Sequence, residues 1–86
     1  MPHKLLMIED DVRLAAMVGD YLRQNGWSVA HAASGAAGMQ ALADEAPALV
    51  ILDLMLPDAD GLDLCRRIKA ESNAAVLMLT AKGDPM

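Results

Sequence analysis

One cysteine, Cys65, is all the chain has, so no internal disulfide framework can form. The count fits a reducing compartment. Long apolar runs are missing too. The longest, Leu5 to Ile8, Ala46 to Leu52 and Ala74 to Leu79, fall well short of the roughly 20 residues that span a bilayer. The opening Met-Pro-His-Lys contains no secretory apolar core, which makes the cytoplasm the expected location. Basic charge is scarce. Seven Lys and Arg stand against twelve Asp and Glu, a net charge of −5. That balance argues against nucleic-acid binding by this surface and leaves open what an attached domain would bind. No repeat, low-complexity tract or linker interrupts the sequence.

What is present suits a packed fold. The 86 residues are 55% hydrophobic and 22% charged, enough for one small globular domain over residues 1–86. Lys4 to Ile8 reads as a buried strand that ends abruptly in Glu9-Asp10-Asp11. Leu14, Met17, Val18, Tyr21 and Leu22 then recur at helical spacing until Asn25-Gly26 supplies a stop. Trp27 to His31 is a short second strand. Ser34 can cap a second helix with Met39, Leu42 and Ala43 inward, ending at Pro47. Ala48 to Leu54 is apolar on both faces, as a central parallel strand should be. Pro57-Asp58-Ala59-Asp60-Gly61 has turn chemistry. A third helix buries Leu62, Cys65 and Ile68 and carries Arg66, Arg67 and Lys69 near its C-terminal end. Ala75 to Thr80 is a fourth strand. The alternation predicts an α/β fold: parallel strands, right-handed crossovers and helices on both faces.

The stretch ALVILDLMLP, residues 48–57, raises a chemical question, because Asp53 interrupts an otherwise apolar run. An isolated carboxylate in an apolar interior is costly. In doubly wound sheets, however, ligands bind beyond the carboxyl ends of the strands, where strand order reverses. Glu9, Asp10 and Asp11 leave the end of the first strand there, Asp53 lies near the end of the third, and Thr80 ends the fourth. Carboxylates so gathered repel one another unless a cation or protons relieve them. Their hard oxygens suit Mg²⁺, and no His or Cys stands among them to favour zinc. A carboxylate can also attack phosphorus and form an aspartyl phosphate.

Three motifs in this order resemble the receiver domain of two-component response regulators. They are Leu-Leu-Met-Ile-Glu-Asp-Asp, Val-Ile-Leu-Asp-Leu-Met-Leu-Pro-Asp-Ala-Asp-Gly and Leu-Thr-Ala-Lys-Gly-Asp. The wording of the second and third is most similar to the OmpR/PhoB type. The resemblance implies a flavodoxin-like (CheY-like) sheet with strand order 2-1-3-4. It implies Asp53 as phosphoacceptor, Asp10 as direct Mg²⁺ ligand and Glu9 as a ligand through water. The Met55 backbone carbonyl would be a further ligand and Thr80 the switch hydroxyl. Asp11 is then a start signal for the first helix, and Pro57 and Gly61 shape the adjoining loop. As partners it implies a sensor histidine kinase, a homodimer of the full-length protein, and DNA only through a C-terminal domain beyond Met86. It also implies a further helix, strand and helix, with a lysine ending that strand. None of these lies within Met1 to Met86, and Lys82, in the loop after the fourth strand, does not match that lysine. The receiver is therefore expected to be incomplete.

Two other functions stay open. A phosphoaspartyl phosphatase of the haloacid dehalogenase type also has a nucleophilic Asp after a strand, but wants a second Asp two residues on, where this chain has Met55. A pseudo-receiver would bind partners without phosphorylation, against which the intact acids argue. Other residues read more plainly. His3 and His31 are solvated, Cys65 is a small core hydrophobe, and Met7, Met17, Met39 and Met78 fit core positions. Gly35 and Gly38 lack the full pattern of a phosphate loop and indicate close helix packing.

Overall fold

A computed structural model of the chain describes residues 3–79. The elements run β1 (His3–Ile8), α1 (Val12–Gln24), β2 (Trp27–Ala32), α2 (Gly35–Glu45), β3 (Leu49–Asp53), α3 (Gly61–Glu71) and β4 (Ala75–Leu79). Thr80, expected at the end of the fourth strand, lies outside the described residues.

Each helix starts where a short polar side chain can satisfy a free N–H group. Asp11 accepts from the Leu14 N–H, Ser34 from Ala37 and Asp60 from Leu62. Asp11 is thus a helix start, as its position suggested. The first helix runs out at Asn25, and Gly26 follows with φ 94°, a left-handed conformation that glycine adopts readily. α2 ends differently: Ala46 takes φ 47° and ψ 58°, and Pro47 cannot continue the helix.

All strand pairings are parallel, in the order β2-β1-β3-β4. The chain therefore reverses its direction of growth between β1 and β3, and a switch point opens beyond their carboxyl ends. Both central strands are covered on each face, and Leu5, Leu6, Met7, Ile8, Val50 and Leu52 are buried. One face of the sheet packs Leu6, Ile8, Val50 and Leu52 against Leu42, Leu64 and Ile68 of α2 and α3. The opposite face packs Leu5, Met7 and Ile51 against Ala15 of α1. Gly38 is needed for the first contact, since a Cβ there would come 2.6 Å from Ile8 Cδ1. Close helix packing is therefore the role of Gly38.

Several side chains face other ways than the sequence suggests. The buried stripe of α1 is Ala15 and Gly19, with Val18 and Leu22 half-buried, while Leu14, Met17 and Tyr21 are exposed. On α2, Leu42 is buried and Met39 half-buried, but Ala43 is exposed. On α3, Leu62 is exposed and Leu64 takes the inner position beside Ile68. Met78 is exposed as well, because β4 has a single neighbour, β3, among the described residues.

Candidate functional site

The acids meet where the strand order reverses. β1 delivers Glu9 and Asp10 directly after Ile8, and β3 ends on Asp53 itself. Glu9 and Asp53 are buried, at 4% and 8% exposure, whereas Asp10 is exposed. One carboxylate oxygen from each of the three lies within 4.8 Å of the others. They open on a hollow of about 450 Å³ also lined by Met55, Leu14 and Leu79.

Local hydrogen bonds hold these residues in place. The Glu9 N–H donates to Ala32 O at 3.0 Å, and His31 Nε2 donates to Glu9 O at 2.7 Å, so β2 grips the peptide units on either side of Glu9. The Glu9 side chain accepts the Asp11 N–H at 2.9 Å. Asp53 Oδ1 accepts the Met55 N–H at 2.9 Å, which turns the chain sharply after β3 and fixes the carboxylate plane.

Burial raises the Glu9 carboxyl above its ordinary value. The hydrogen bond from Asp11 opposes that rise, and the charges of Asp53 and Asp10 add to it. Burial is the chief cause, and the neighbouring carboxylates act in the same direction because the cluster gathers negative charge. A small hard cation answers that excess, and three clustered carboxylate oxygens are a donor set that suits Mg²⁺.

Among the residues singled out from sequence, Glu9, Asp10, Asp53 and Met55 come together. Thr80 lies outside the described residues. Two residues have more definite partners than their sequence context suggests. His31, read as a solvated side chain, is exposed but holds the Glu9 carbonyl. Asp58, read only as turn chemistry, accepts from the Gly35 N–H at 2.8 Å and from the Ala36 N–H at 3.2 Å. Both contacts join positions more than twenty apart in sequence, so no local pattern announces them.

Comparisons with known proteins agree with this geometry. Residues 5–86 match the family model of the response regulator receiver domain. The chain is 40% identical over 84 residues to the DNA-binding response regulator MtrA of Mycolicibacterium paratuberculosis and, equally, to that of Mycobacterium tuberculosis. These alignments cover 98% of the chain but 37% of the relatives' length. Among solved structures, the BeF3-activated N-terminal receiver domain of Klebsiella pneumoniae RstA superposes with a TM-score of 0.88 at 31% identity. That match covers 98% of this chain and 72% of the other. A response regulator from Chloroflexus aurantiacus gives 0.86 at 38% identity, over 99% and 72% of the two chains. A parallel sheet of order 2-1-3-4, an acidic hollow at its switch point and a family match from residue 5 to 86 lead to one assignment: the chain belongs to the response regulator receiver domain family.

Proposed function

We propose that Asp53 accepts a phosphoryl group from a phosphohistidine of a sensor histidine kinase, and that this switches an output domain. The observation that carries the reading is the placing of Asp53, buried at the mouth of β3 with Oδ1 held by the Met55 N–H and two further acids beside it. A carboxylate oxygen of Asp53 attacks phosphorus in line with the departing imidazole. The P–N bond breaks, and its electron pair leaves with the histidine nitrogen. The chain is then a signalling module that catalyses its own labelling, not an enzyme turning over a separate substrate.

Receiver domains bind Mg²⁺ at an acidic pocket, and the hard oxygens gathered here fit that ion. Asp10 and Asp53 would hold it directly, Glu9 through water and Met55 through its backbone carbonyl. When bound, the ion neutralises charge on the transferring phosphoryl oxygens. Glu9 and Asp10 would help to hold the ion and leave a carboxylate oxygen of Asp53 to act as the nucleophile. Thr80 would follow the phosphoryl group with its hydroxyl. The relative from Klebsiella pneumoniae was solved in a BeF3-activated form, a state consistent with an acidic site that takes a phosphoryl-like group.

Relatives described as DNA-binding response regulators support an output in transcription through a domain beyond this chain, of the OmpR/PhoB type, as a full-length homodimer in the cytoplasm. No helix of the described residues is long and apolar enough to cross a membrane. A phosphatase of the haloacid dehalogenase type is disfavoured, since Met55 stands where its general acid would be and has no proton to give.

The test uses the full-length protein with Mg²⁺ and acetyl phosphate. Intact-mass analysis is expected to show one added phosphoryl group, absent in Asp53→Asn. Undiminished labelling of that variant would refute the assignment.

A further inference from the structure

The loop between β3 and α3 is closed at both its base and its crest. At the base, Gly61 lies against Leu54 so closely that a Cβ would come 2.6 Å from Leu54 Cα. At the crest, both carboxylate oxygens of Asp58 accept N–H groups from the first turn of α2, those of Gly35 and Ala36. Gly35 is buried there, and a Cβ on it would come 2.8 Å from Ala59 Cβ. Glycine is what lets the loop reach the helix. Between the two closures stand Met55, whose N–H holds Asp53 Oδ1, buried Leu56, and Pro57 with its fixed φ.

We propose that Asp58 is a positioning residue: by clasping the first turn of α2 it fixes the loop that orients the Asp53 carboxylate and presents the Met55 backbone to the metal. The inference rests on the function proposed above and adds to it a residue that touches neither metal nor phosphoryl group.

A purely structural role is the plain alternative, since free N–H groups at a helix start welcome any carboxylate. α2, however, already has its own cap in Ser34, which accepts the Ala37 N–H at 3.1 Å. Asp58 serves the N–H groups that Ser34 leaves, and it does so from 23 and 22 residues away. Removing Ser34 weakens the helix alone. Removing Asp58 weakens the helix and frees the loop. That difference makes the two roles separable.

The full-length protein is therefore compared as wild type, Asp58→Ala, Asp58→Asn, Ser34→Ala and Gly35→Ala. Three quantities are read: amide exchange at Met55 without metal, Mg²⁺ affinity by NMR titration, and the rate of labelling by acetyl phosphate. Asp58→Ala is expected to speed Met55 exchange and to weaken Mg²⁺ binding about tenfold, the scale on which outer partners tune a metal site. Labelling slows by about the same factor, since the nucleophile loses its fixed direction. Asp58→Asn keeps one acceptor oxygen and recovers part of each loss. Gly35→Ala, which wedges the loop off the helix, reproduces Asp58→Ala. Ser34→Ala lowers the melting temperature and leaves all three quantities near wild type. Wild-type exchange, affinity and labelling in Asp58→Ala would overturn the inference, as would equal changes in Ser34→Ala. A wild-type protein that takes no phosphoryl group would refute the proposed function instead, while Met55 exchange would still judge the clasp.

Discussion

One face of the sheet carries two helices, the other a single one, and the two cores differ accordingly. Beneath α2 and α3 lies a cluster of ten buried residues running from Leu6 to Ala74. Beneath α1 the buried cluster among the described residues is smaller: Leu5, Met7, Ala15 and Ile51. The thinner face is not poorer in apolar residues. Val12, Met17 and Tyr21 on α1 and Leu77 on β4 are all more than half exposed. Leu77 stands in register with Ile51, so it shares the face that α1 covers in part. Apolar sequence alone therefore does not make a core. A second element must lie against it, and on this face Leu79 at the end of β4 is half-buried against the cluster beneath α1 while Leu77 is left open.

The sharpest way to break this comparison is to truncate one large apolar side chain on each face. Ile68 of α3 is fully buried, and Ile68→Ala is expected to lose about 3 kcal/mol through lost transfer energy and a residual cavity. Small domains have on the order of 5–10 kcal/mol in all, so this variant should melt far below wild type. Met17 of α1 is 65% exposed, and Met17→Ala should stay within about 0.5 kcal/mol of wild type. Urea titrations of both variants measure the difference. Equal losses would mean that Met17, and with it the outer stripe of α1, is covered in solution.

A smaller effect concerns the edge. β4 pairs with β3 alone among the described residues, and Ala75–Leu79 contains neither a charge nor a proline to discourage a partner. Leu77 and Met78 are exposed on opposite faces of that strand. The 86-residue chain by itself is expected to self-associate, with sedimentation that depends on concentration. Leu77→Lys should restore a monomer while changing stability by no more than about 0.5 kcal/mol, as an exposed site allows. A wild-type chain that sediments as one compact monomer at every concentration would show that the edge is already protected.

The same contrast explains what was legible in the sequence. Parallel strands and the acidic rim follow from alternating elements and from the carboxylates at the strand ends, which are local signals, whereas the strand order came with the resemblance to receiver domains. The inner face of α1 was harder. Its helical period is evident from Leu14, Met17, Val18, Tyr21 and Leu22, yet the sheet takes Ala15 and Gly19, one position round from the large residues. Small residues let a helix sit close to a strand, while the large ones form a second stripe that hydrophobicity alone cannot tell from the first. At the site, Glu9 and Asp10 were readable because they follow the first strand directly, and Asp53 because it ends the third. The partners that aim them were not. His31 and Asp58 reach across 22 and 23 residues, and only the folded topology brings those positions together.

The smallest predicted effect tests whether the better-covered face has a second fastening. α1 is capped from within its own sequence, by Asp11 on the Leu14 N–H, whereas α2 is held by Ser34 and also by the distant Asp58. The Gly35 N–H, and after it the Ala36 N–H, holds the Asp58 carboxyl below its ordinary value of 3.8. A carboxylate with a depressed folded value adds stability above the unfolded value and loses it as pH falls through the folded one. Wild type should therefore exceed Asp58→Ala in melting temperature by a constant margin at neutral and mildly acidic pH. That margin should shrink once the pH passes below 3.8 and close as Asp58 itself takes up a proton. Glu9 runs the other way: its raised carboxyl favours the protonated fold, so its contribution falls as pH rises through its folded value. Both proteins contain Glu9, so this contribution cancels in the difference. Because Asp58 stands at the surface, added salt should narrow the margin as well. Melting curves of the two proteins across the acid range give the answer directly. A margin that stays constant well below 3.8 would mean that Asp58 holds α2 by shape and packing, with its charge irrelevant.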